Sequence, residues 1–393
     1  MGTAHAYQTA AGTRYRARYR KPDNTAGEKR GFKTKKEANL YIANVEVSKA
    51  TGTYIDPKEA LVTVGELAPA WLARKKQALK PSAYAPLETA WRVHVEPRWA
   101  RTQIGKIRPS AVEDWIAELG TGSAVSTRKR TDLSGKPKSA SVVIRAVGIL
   151  SGILDGALRD GRLPSNPAAK ATNLPRKMSK KPRRYLNHAE VFRFASFAPD
   201  YTREVQIVTL SYTGIRWGES VGLRVRDVNF LRRRLQISQS ATEVAGVIHV
   251  GPPKSWEERA VPYPEFLDEP LAKLCEGKGP DELVFPAAGG GFAMRPDTSA
   301  SGYSWFLASL RKAGLERLTV HDLKHTAASL AISAGANVKA VQSMLGHKSA
   351  TMTLDTYADL FDDDLEAVAT RLNEHAYASN VGKSWANSPA ALA

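Results

Sequence analysis

Four separated segments in the C-terminal half carry side chains that are suited to chemistry at a phosphate. Arg216 stands between Gly214 and Gly218, and this spacing predicts a tight turn into a helix whose N-terminus attracts anions. Lys254 follows a predicted strand at Val247 to Val250 and is expected near the tip of a hairpin. Each signal is weak alone, since an arginine can pair with a nearby glutamate and a hairpin lysine is commonly just exposed.

The other two segments supply imidazole and phenol groups. His321, Lys324 and His325 are spaced so that a helix would place them on one face. His347 follows a glycine, and Tyr357 comes ten residues later. A tyrosine with a pKa of about 10 is a poor nucleophile at neutral pH, but it can attack when a base and phosphate-binding cations surround it.

The two histidines also raise the question of a metal site. Histidines four residues apart can bind zinc, but the metalloprotease pattern requires Glu directly after the first histidine, and Asp322 stands there. We therefore predict no zinc site here, and the lack of a P-loop or a carboxylate metal cluster agrees with a protein that needs no metal and no other cofactor. In this interpretation His325 is a structural helix residue rather than a direct participant.

The net charge indicates the kind of partner. The 393 residues include 57 Lys and Arg against 39 Asp and Glu, a formal charge of +18. Residues 1–175 hold 30 of the basic and 15 of the acidic residues, so they carry +15 of that total. Such an excess favours nucleic acid, because lysine and arginine release its condensed counterions. The single cysteine, Cys275, and the lack of long apolar runs predict a soluble protein of a reducing cytoplasm.

The first sixty residues contain an arginine-rich strand at 13–20. Because side chains in a strand alternate between its two faces, one face carries Arg14, Arg16, Arg18 and Arg20. Neighbours on that face lie about 6.6 Å apart, so the row could follow a DNA groove. A second strand is expected at Lys29 to Phe32 and a helix from about Lys35 to Ser48. A solvated strand face is the alternative.

The following hundred residues have helical periodicity. Amphipathic segments begin near Val62, Pro81, Pro109 and Ser139, and four such helices predict a small bundle. The basic loop from Gly120 to Lys138 supplies three further candidate DNA contacts, or is merely solvated: Arg128, Lys129 and Arg130. Residues 163–185 are rich in proline and basic residues, which predicts an extended linker between domains.

Taken together, the chemistry-bearing residues resemble the active site of the tyrosine recombinase (phage integrase) family. The match rests on six residues in the family's order and spacing: Arg216, Lys254, His321, Lys324, His347 and Tyr357. It covers the predicted catalytic domain, and the N-terminal strand and helix resemble the arm-site-binding domain of many phage integrases. The ordered combination is specific, whereas the arm-like pattern alone is only suggestive.

The resemblance implies a mechanism. Tyr357 would attack the scissile phosphate to form a 3′-phosphotyrosine link and release a 5′-hydroxyl. Arg216 and Lys324 would hold the non-bridging oxygens, and His321 would accept or orient a proton. His347 would donate a hydrogen bond to the phosphate.

In the same family pattern Lys254 would be the general acid for the departing 5′ oxygen. The chain departs from the pattern at Lys324, where arginine is usual. Arginine grips two phosphate oxygens as a planar fork, whereas lysine is a point charge.

The predicted fold is multidomain α+β: a small three-stranded sheet plus helix, a helical core-binding bundle, and a mainly α catalytic domain with a small antiparallel sheet. The expected domains are an arm-type DNA-binding domain at 1–60, a core-type helical domain at 61–162, a basic linker at 163–185, the catalytic domain at 186–375 and a tail at 376–393.

The resemblance also implies partners: arm-type and core-type DNA attachment sites, a homotetramer on DNA, and an excisionase or host DNA-bending factor, without a membrane. The protein would act in the cytoplasm of a bacterial host, at the nucleoid, integrating phage or mobile-element DNA. The alternatives are a DNA-binding protein with a degraded catalytic site and a type IB-like topoisomerase.

Overall fold

Two units make up the chain, Met1–Ser179 and Lys180–Ala393. The computed structural model describes residues 2–52, 54–125, 135–176, 184–253, 258–299, 302–357, 360 and 364–378. The predicted multidomain α+β fold is confirmed. The boundaries predicted for the five segments stay predictions.

The first unit opens with a small sheet that packs on one helix. Strands β1 (Thr3–Thr9), β2 (Gly12–Arg20) and β3 (Ala26–Phe32) are antiparallel in sequence order, and α1 spans Lys35–Ala50. Ala17 of β2 is fully buried against Ala38 and Ile42 of α1. The Thr34 hydroxyl accepts a hydrogen bond from the Glu37 N–H and thereby caps α1.

The opposite face of β2 carries the arginines. Arg18 and Arg20 are exposed, and Arg14 and Arg16 are half-buried. Glu28 of the neighbouring strand β3 lies across from Arg18 and binds its Nε at 2.9 Å. The row of positive charge is therefore partly neutralised within the sheet.

A helical bundle forms the rest of this unit. Its elements are α2 (Val64–Ala78), α3 (Pro81–Ala90), a π-helical turn (Trp91–Val95), α4 (Glu96–Trp99), α5 (Pro109–Thr121) and α6 (Ala140–Arg159), with 3-10 turns at Glu59–Leu61 and Ile104–Lys106. Apolar residues at helical spacing build its core, with Trp115 and Leu150 fully buried. Loop residues Arg128, Lys129 and Arg130 lie outside the described residues.

The structure differs from the predicted linker in its first part. Leu163 and Ala168 are buried in the bundle core, and the Thr172 hydroxyl donates a 2.6 Å hydrogen bond to the Glu113 carboxylate of α5. Proline excludes a regular helix from this stretch but does not keep its apolar side chains out of a core.

Within the described residues, α6 is the helix that is long and apolar enough to cross a membrane. Its buried face includes Val143, Leu150 and Leu154, which belong to the core of the bundle.

The second unit is mainly helical. Its helices are α7 (His188–Ala195), α8 (Tyr201–Thr213), α9 (Trp217–Val221), α10 (Asp268–Cys275), α11 (Trp305–Lys312), α12 (Val320–Ser333), α13 (Val338–Leu345), α14 (Ala350–Tyr357) and α15 (Asp364–Ala378), with 3-10 turns at Val225–Asp227 and Glu265–Leu267. Helix α12 packs against α8 in the middle of the core.

The strands of the second unit correct one prediction. Strands β4 (Val228–Asn229), β5 (Arg234–Ile237) and β8 (Arg259–Pro262) form one sheet, and β6 (Ser240–Val244) and β7 (Val247–Gly251) form a hairpin. The prediction of a hairpin with Lys254 near its tip is wrong, because β7 pairs with β6 and β8 pairs with β5. The turn is at Ala245 and Gly246, which both have positive φ, and Lys254 falls in the connection from β7 to β8, outside the described residues.

Candidate active site

Arg216 occupies the turn between α8 and α9. Gly214 ends α8 with φ of 65°, and a Cβ there would lie 2.5 Å from Leu345 Cδ2, so glycine is needed for both conformation and space. Arg216 is the N-cap residue of α9, as its spacing predicted. Its Nη1 donates to Glu219 Oε1 at 2.7 Å, and its backbone N–H donates to Oε2 at 2.8 Å.

Glu219 holds a second arginine in the same place. Its side chain is fully buried, and Arg259 Nη2 of β8 donates to Oε2 at 2.7 Å. Burial on its own would raise the pKa of the Glu219 carboxyl, but Arg259 and Arg216 outweigh burial and lower that pKa to about 2. The carboxylate therefore stays ionised and fixes two guanidinium groups.

Helix α12 contributes the second group of side chains. Thr319 and Asp322 form a capping box that sets its first turn, with the Thr319 N–H 2.7 Å from the Asp322 carboxylate. His321 in that turn is exposed, whereas Lys324 is buried and its Nζ donates to the backbone carbonyl of Leu345. Helix α12 is thus tied to the end of α13.

His347 stands in the turn that follows α13. Gly346 ends that helix with φ of 61°, and a Cβ there would meet the Arg259 guanidinium at 3.0 Å. Burial, followed by the positive charges of Lys324, Arg216, His321 and Arg259, lowers the pKa of His347 to about 4. The ring is neutral at pH 7. Its Nδ1 lies 3.0 Å from the Thr353 hydroxyl, an arrangement that lets the Nε2–H act as a donor.

Tyr357 is the last residue of α14 and is 1% exposed. Its ring stacks parallel to that of His347, with 6.4 Å between centroids and 7° between planes. Its hydroxyl lies 2.7 Å from Nδ1 of His325. The structure therefore brings the predicted nucleophile together with His347, and it places His325 at the reactive oxygen.

Two residues of this centre were missed or misjudged from the sequence. His325 was interpreted as structural, although its spacing after His321 already placed it on the same helix face. Arg259 was not predicted at all. The sequence offers one signal for it, its position a few residues after Lys254 in a candidate functional segment. Hydrophobic periodicity does not indicate that an arginine of a short strand contacts a glutamate forty residues earlier.

In the described part of the chain, no group of three or more His, Cys, Asp or Glu side chains could hold a metal ion. The described centre offers a phenol as a nucleophile, imidazoles for proton transfer and hydrogen bonding, and cations held in place by hydrogen bonds. A tetrahedral oxyanion fits such a set, since Arg216, Lys324 and the His347 Nε2–H can each donate to oxygen.

Comparison with known proteins gives concordant results. Residues 184–363 match the model of the phage integrase family. The chain is 25% identical over 319 residues to a prophage phiRv2 integrase of Mycobacterium tuberculosis, with 79% of each chain covered. It is 24% identical over 333 residues to the ICEBs1 integrase of Bacillus subtilis, covering 81% of this chain and 84% of the relative.

Solved structures show the same fold. The Tn1549 transposon integrase in complex with a circular intermediate DNA aligns with a TM-score of 0.61 and 21% identity, over 78% of this chain and 99% of that one. The lambda integrase tetramer bound to a Holliday junction aligns with a TM-score of 0.53 and 17% identity, over 89% of this chain and 94% of that one.

Proposed function

Because the chain belongs to the phage integrase family of tyrosine recombinases, we propose that it is a site-specific recombinase that cuts and rejoins DNA through a covalent 3′-phosphotyrosine intermediate. The observation that supports this most strongly is the packing of Tyr357 between two imidazoles beside fixed cations. Its substrate would be an attachment site in double-stranded DNA, and its product integrated or excised phage or mobile-element DNA.

In the proposed reaction Tyr357 Oη forms a bond to phosphorus as the bond from phosphorus to the 5′ oxygen breaks. Negative charge grows on the non-bridging oxygens in the transition state, and Arg216 and Lys324 would offset it. Neutral His347 adds a hydrogen bond through its Nε2–H. We assign the protonation of the departing 5′ oxygen to Lys254, on the family pattern.

A phosphodiester to tyrosine keeps the strand break reversible. The energy of the broken bond is retained in the new ester, so a 5′-hydroxyl from a second strand can attack it and restore DNA without a nucleotide cofactor. The side chains around Tyr357 do not need to activate water. This accounts for exchange of strands rather than hydrolysis.

Trapping of the covalent intermediate tests the proposal. Selection of bound fragments from random DNA supplies a core site, and a nick placed beside the cleavage position lets the short 5′-hydroxyl strand diffuse away. We expect an adduct that resists detergent and a modified peptide containing Tyr357. Binding without an adduct would instead indicate a DNA-binding protein with a degraded centre. Adduct formation with plasmid relaxation, but no joining of two duplexes, would indicate a topoisomerase.

We further propose that the DNA is held mainly by the first unit. The arginine row of β2 would contact arm-type sites and the bundle of residues 61–162 core-type sites. Arg18 and Arg20 support the first assignment because both are exposed. Among the described contacts of this face, Arg18 pairs with the carboxylate of Glu28. The neighbouring strand β1 places Tyr7 opposite Arg14, His5 opposite Arg16 and Thr3 opposite Arg18. Such mixed donors are common in base readout.

A charge-matched pair of variants tests the arginine row. The first variant changes all four arginines of the row to glutamine: Arg14, Arg16, Arg18 and Arg20. It should no longer select arm-type sites and should still bind core-type sites. The control changes four exposed lysines of the same region to glutamine: Lys33, Lys35, Lys36 and Lys58. Each lost phosphate contact should lower the salt dependence of binding by about one unit of slope. Equal loss in both variants would mean that net charge alone is responsible.

The assembly and its setting follow from the family. We propose a homotetramer that joins two duplexes through a four-way junction, supported by the likeness to the lambda integrase tetramer. An excisionase or a host DNA-bending factor would set the direction of the reaction. The protein would act where bacterial DNA lies, in the cytoplasm at the nucleoid.

A further inference from the structure

The hydroxyl of Tyr357 has a defined partner, His325. The distance from Oη to Nδ1 is 2.7 Å, the two residues are 1% and 7% exposed, and the ring centroids are 5.6 Å apart. A buried hydrogen bond of this length is shielded from water, so it holds the hydroxyl oxygen against the imidazole nitrogen. His321, one helical turn earlier, meets the ring of His325 edge-on with centroids 4.9 Å apart.

The neighbouring groups are poorly suited to take that proton. Lys324 donates to the Leu345 carbonyl, and an ammonium group has no lone pair with which to accept. His347 stacks face to face with the phenol ring, and its Nδ1 is engaged with Thr353. Nδ1 of His325 therefore has the geometry of an acceptor, with the ring proton on Nε2.

We propose that His325, rather than His321, is the catalytic residue that accepts the proton of Tyr357. This inference rests on the proposed recombinase function. As the bond from Oη to phosphorus forms, the hydroxyl proton passes to Nδ1, and the bond to the 5′ oxygen breaks with its electrons leaving on that oxygen. The 5′ oxygen takes a proton from the general acid. In the rejoining step the His325 imidazolium returns its proton to the departing phenolate.

The inference assigns a different task to His321. It is exposed at the start of α12, its charge reaches His347, and its ring braces that of His325. It is therefore a positioning residue. Changing it should move the orientation of His325 without removing the proton acceptor.

His325→Asn separates proton transfer from positioning. The amide oxygen of asparagine can accept the hydroxyl hydrogen bond from about the place of Nδ1, but it does not take up a proton at neutral pH. We expect single-turnover adduct formation on the nicked substrate to fall by roughly 10²- to 10⁴-fold while DNA binding is retained. The matched control is His188→Asn, which makes the same change at another histidine–tyrosine hydrogen bond, 2.6 Å from His188 Nδ1 to the Tyr212 hydroxyl, and should leave the rate unchanged.

A more acidic phenol provides the second measurement. Fluorinated tyrosine introduced at position 357 loses its proton more readily, so its reaction should depend much less on the residue at position 325. Rates that recover in His325→Asn with fluorotyrosine support proton transfer. Rates that stay equally low would show that His325 only positions the ring and would overturn the inference, as would full activity of His325→Asn with ordinary tyrosine.

The wild-type lane of the same assay keeps the two proposals apart. If the wild-type chain forms no adduct with either phenol, the recombinase function itself fails. Suppose instead that the wild type reacts, and that fluorotyrosine restores the rate of adduct formation in His321→Asn but not in His325→Asn. The recombinase function then stands, and the assignment of the proton acceptor to His325 fails.

Discussion

Replacing Tyr357 with phenylalanine should leave DNA binding intact and abolish covalent attachment of the chain to DNA. The ring keeps its stacking on His347, and the fold loses the hydrogen bond to His325, worth about 1 kcal/mol. The proposed chemical step loses its attacking atom altogether. The measurements are gel retardation and detergent-resistant adduct on the nicked substrate.

Tyr377 provides the matched control for this change. It lies on α15, is 45% exposed, and follows Tyr357 in the chain. Tyr377→Phe should form adduct at the wild-type rate. An adduct that persists in Tyr357→Phe and disappears in Tyr377→Phe would move the nucleophile to α15 and contradict the proposed centre.

The second large effect is expected at Lys324. Lys324→Ala should lower the rate of adduct formation by about 10²- to 10³-fold, because it removes one of the two positive charges that we propose offset the charge of the transition state. Lys324→Arg should retain recombination, since a guanidinium supplies two donors to the phosphate. The readout is the single-turnover rate at saturating protein, with thermal unfolding measured in parallel.

Burial of Lys324 makes controls necessary. Its side chain also joins α12 to the carbonyl of Leu345, so alanine leaves a gap and an unpaired acceptor. Lys324→Met fills the gap without charge and should be nearly as slow as alanine. Lys339→Ala, at an exposed lysine of α13, should react normally. A wild-type rate in Lys324→Met would show that the charge has no part in the reaction.

Local patterns predicted much of the fold. Three correct predictions depend on neighbours within a turn or two of a helix: the cap at Thr34, the apolar face of α6, and the shared helix of His321, Lys324 and His325. Such short-range patterns can be recognised in the sequence alone. The order of the functional segments then indicated the phage integrase family, whose model matches residues 184–363.

Pairings between distant segments were not predictable in this way. The hairpin was placed at Lys254 because its prolines signal a turn, yet Ala245 and Gly246 supply the positive φ angles that a tight hairpin needs. The contact of Arg259 with Glu219 and that of His325 with Tyr357 span forty and thirty-two positions, and they depend on how β8 and α14 pack. Periodicity carries no information about such partners.

The carboxylate of Glu219 also determines how the enzyme should respond to acid. Its pKa is lowered from 4.5 to about 2, so the stabilisation that it provides is complete above about pH 4.5 and is lost only as the pH falls toward 2. The charge of Glu219 is thus constant across the range in which histidines titrate. This carboxylate therefore adds no pH dependence near neutrality, so a change in the rate of cleavage there would not come from loss of the pairing of Glu219 with Arg216 and Arg259.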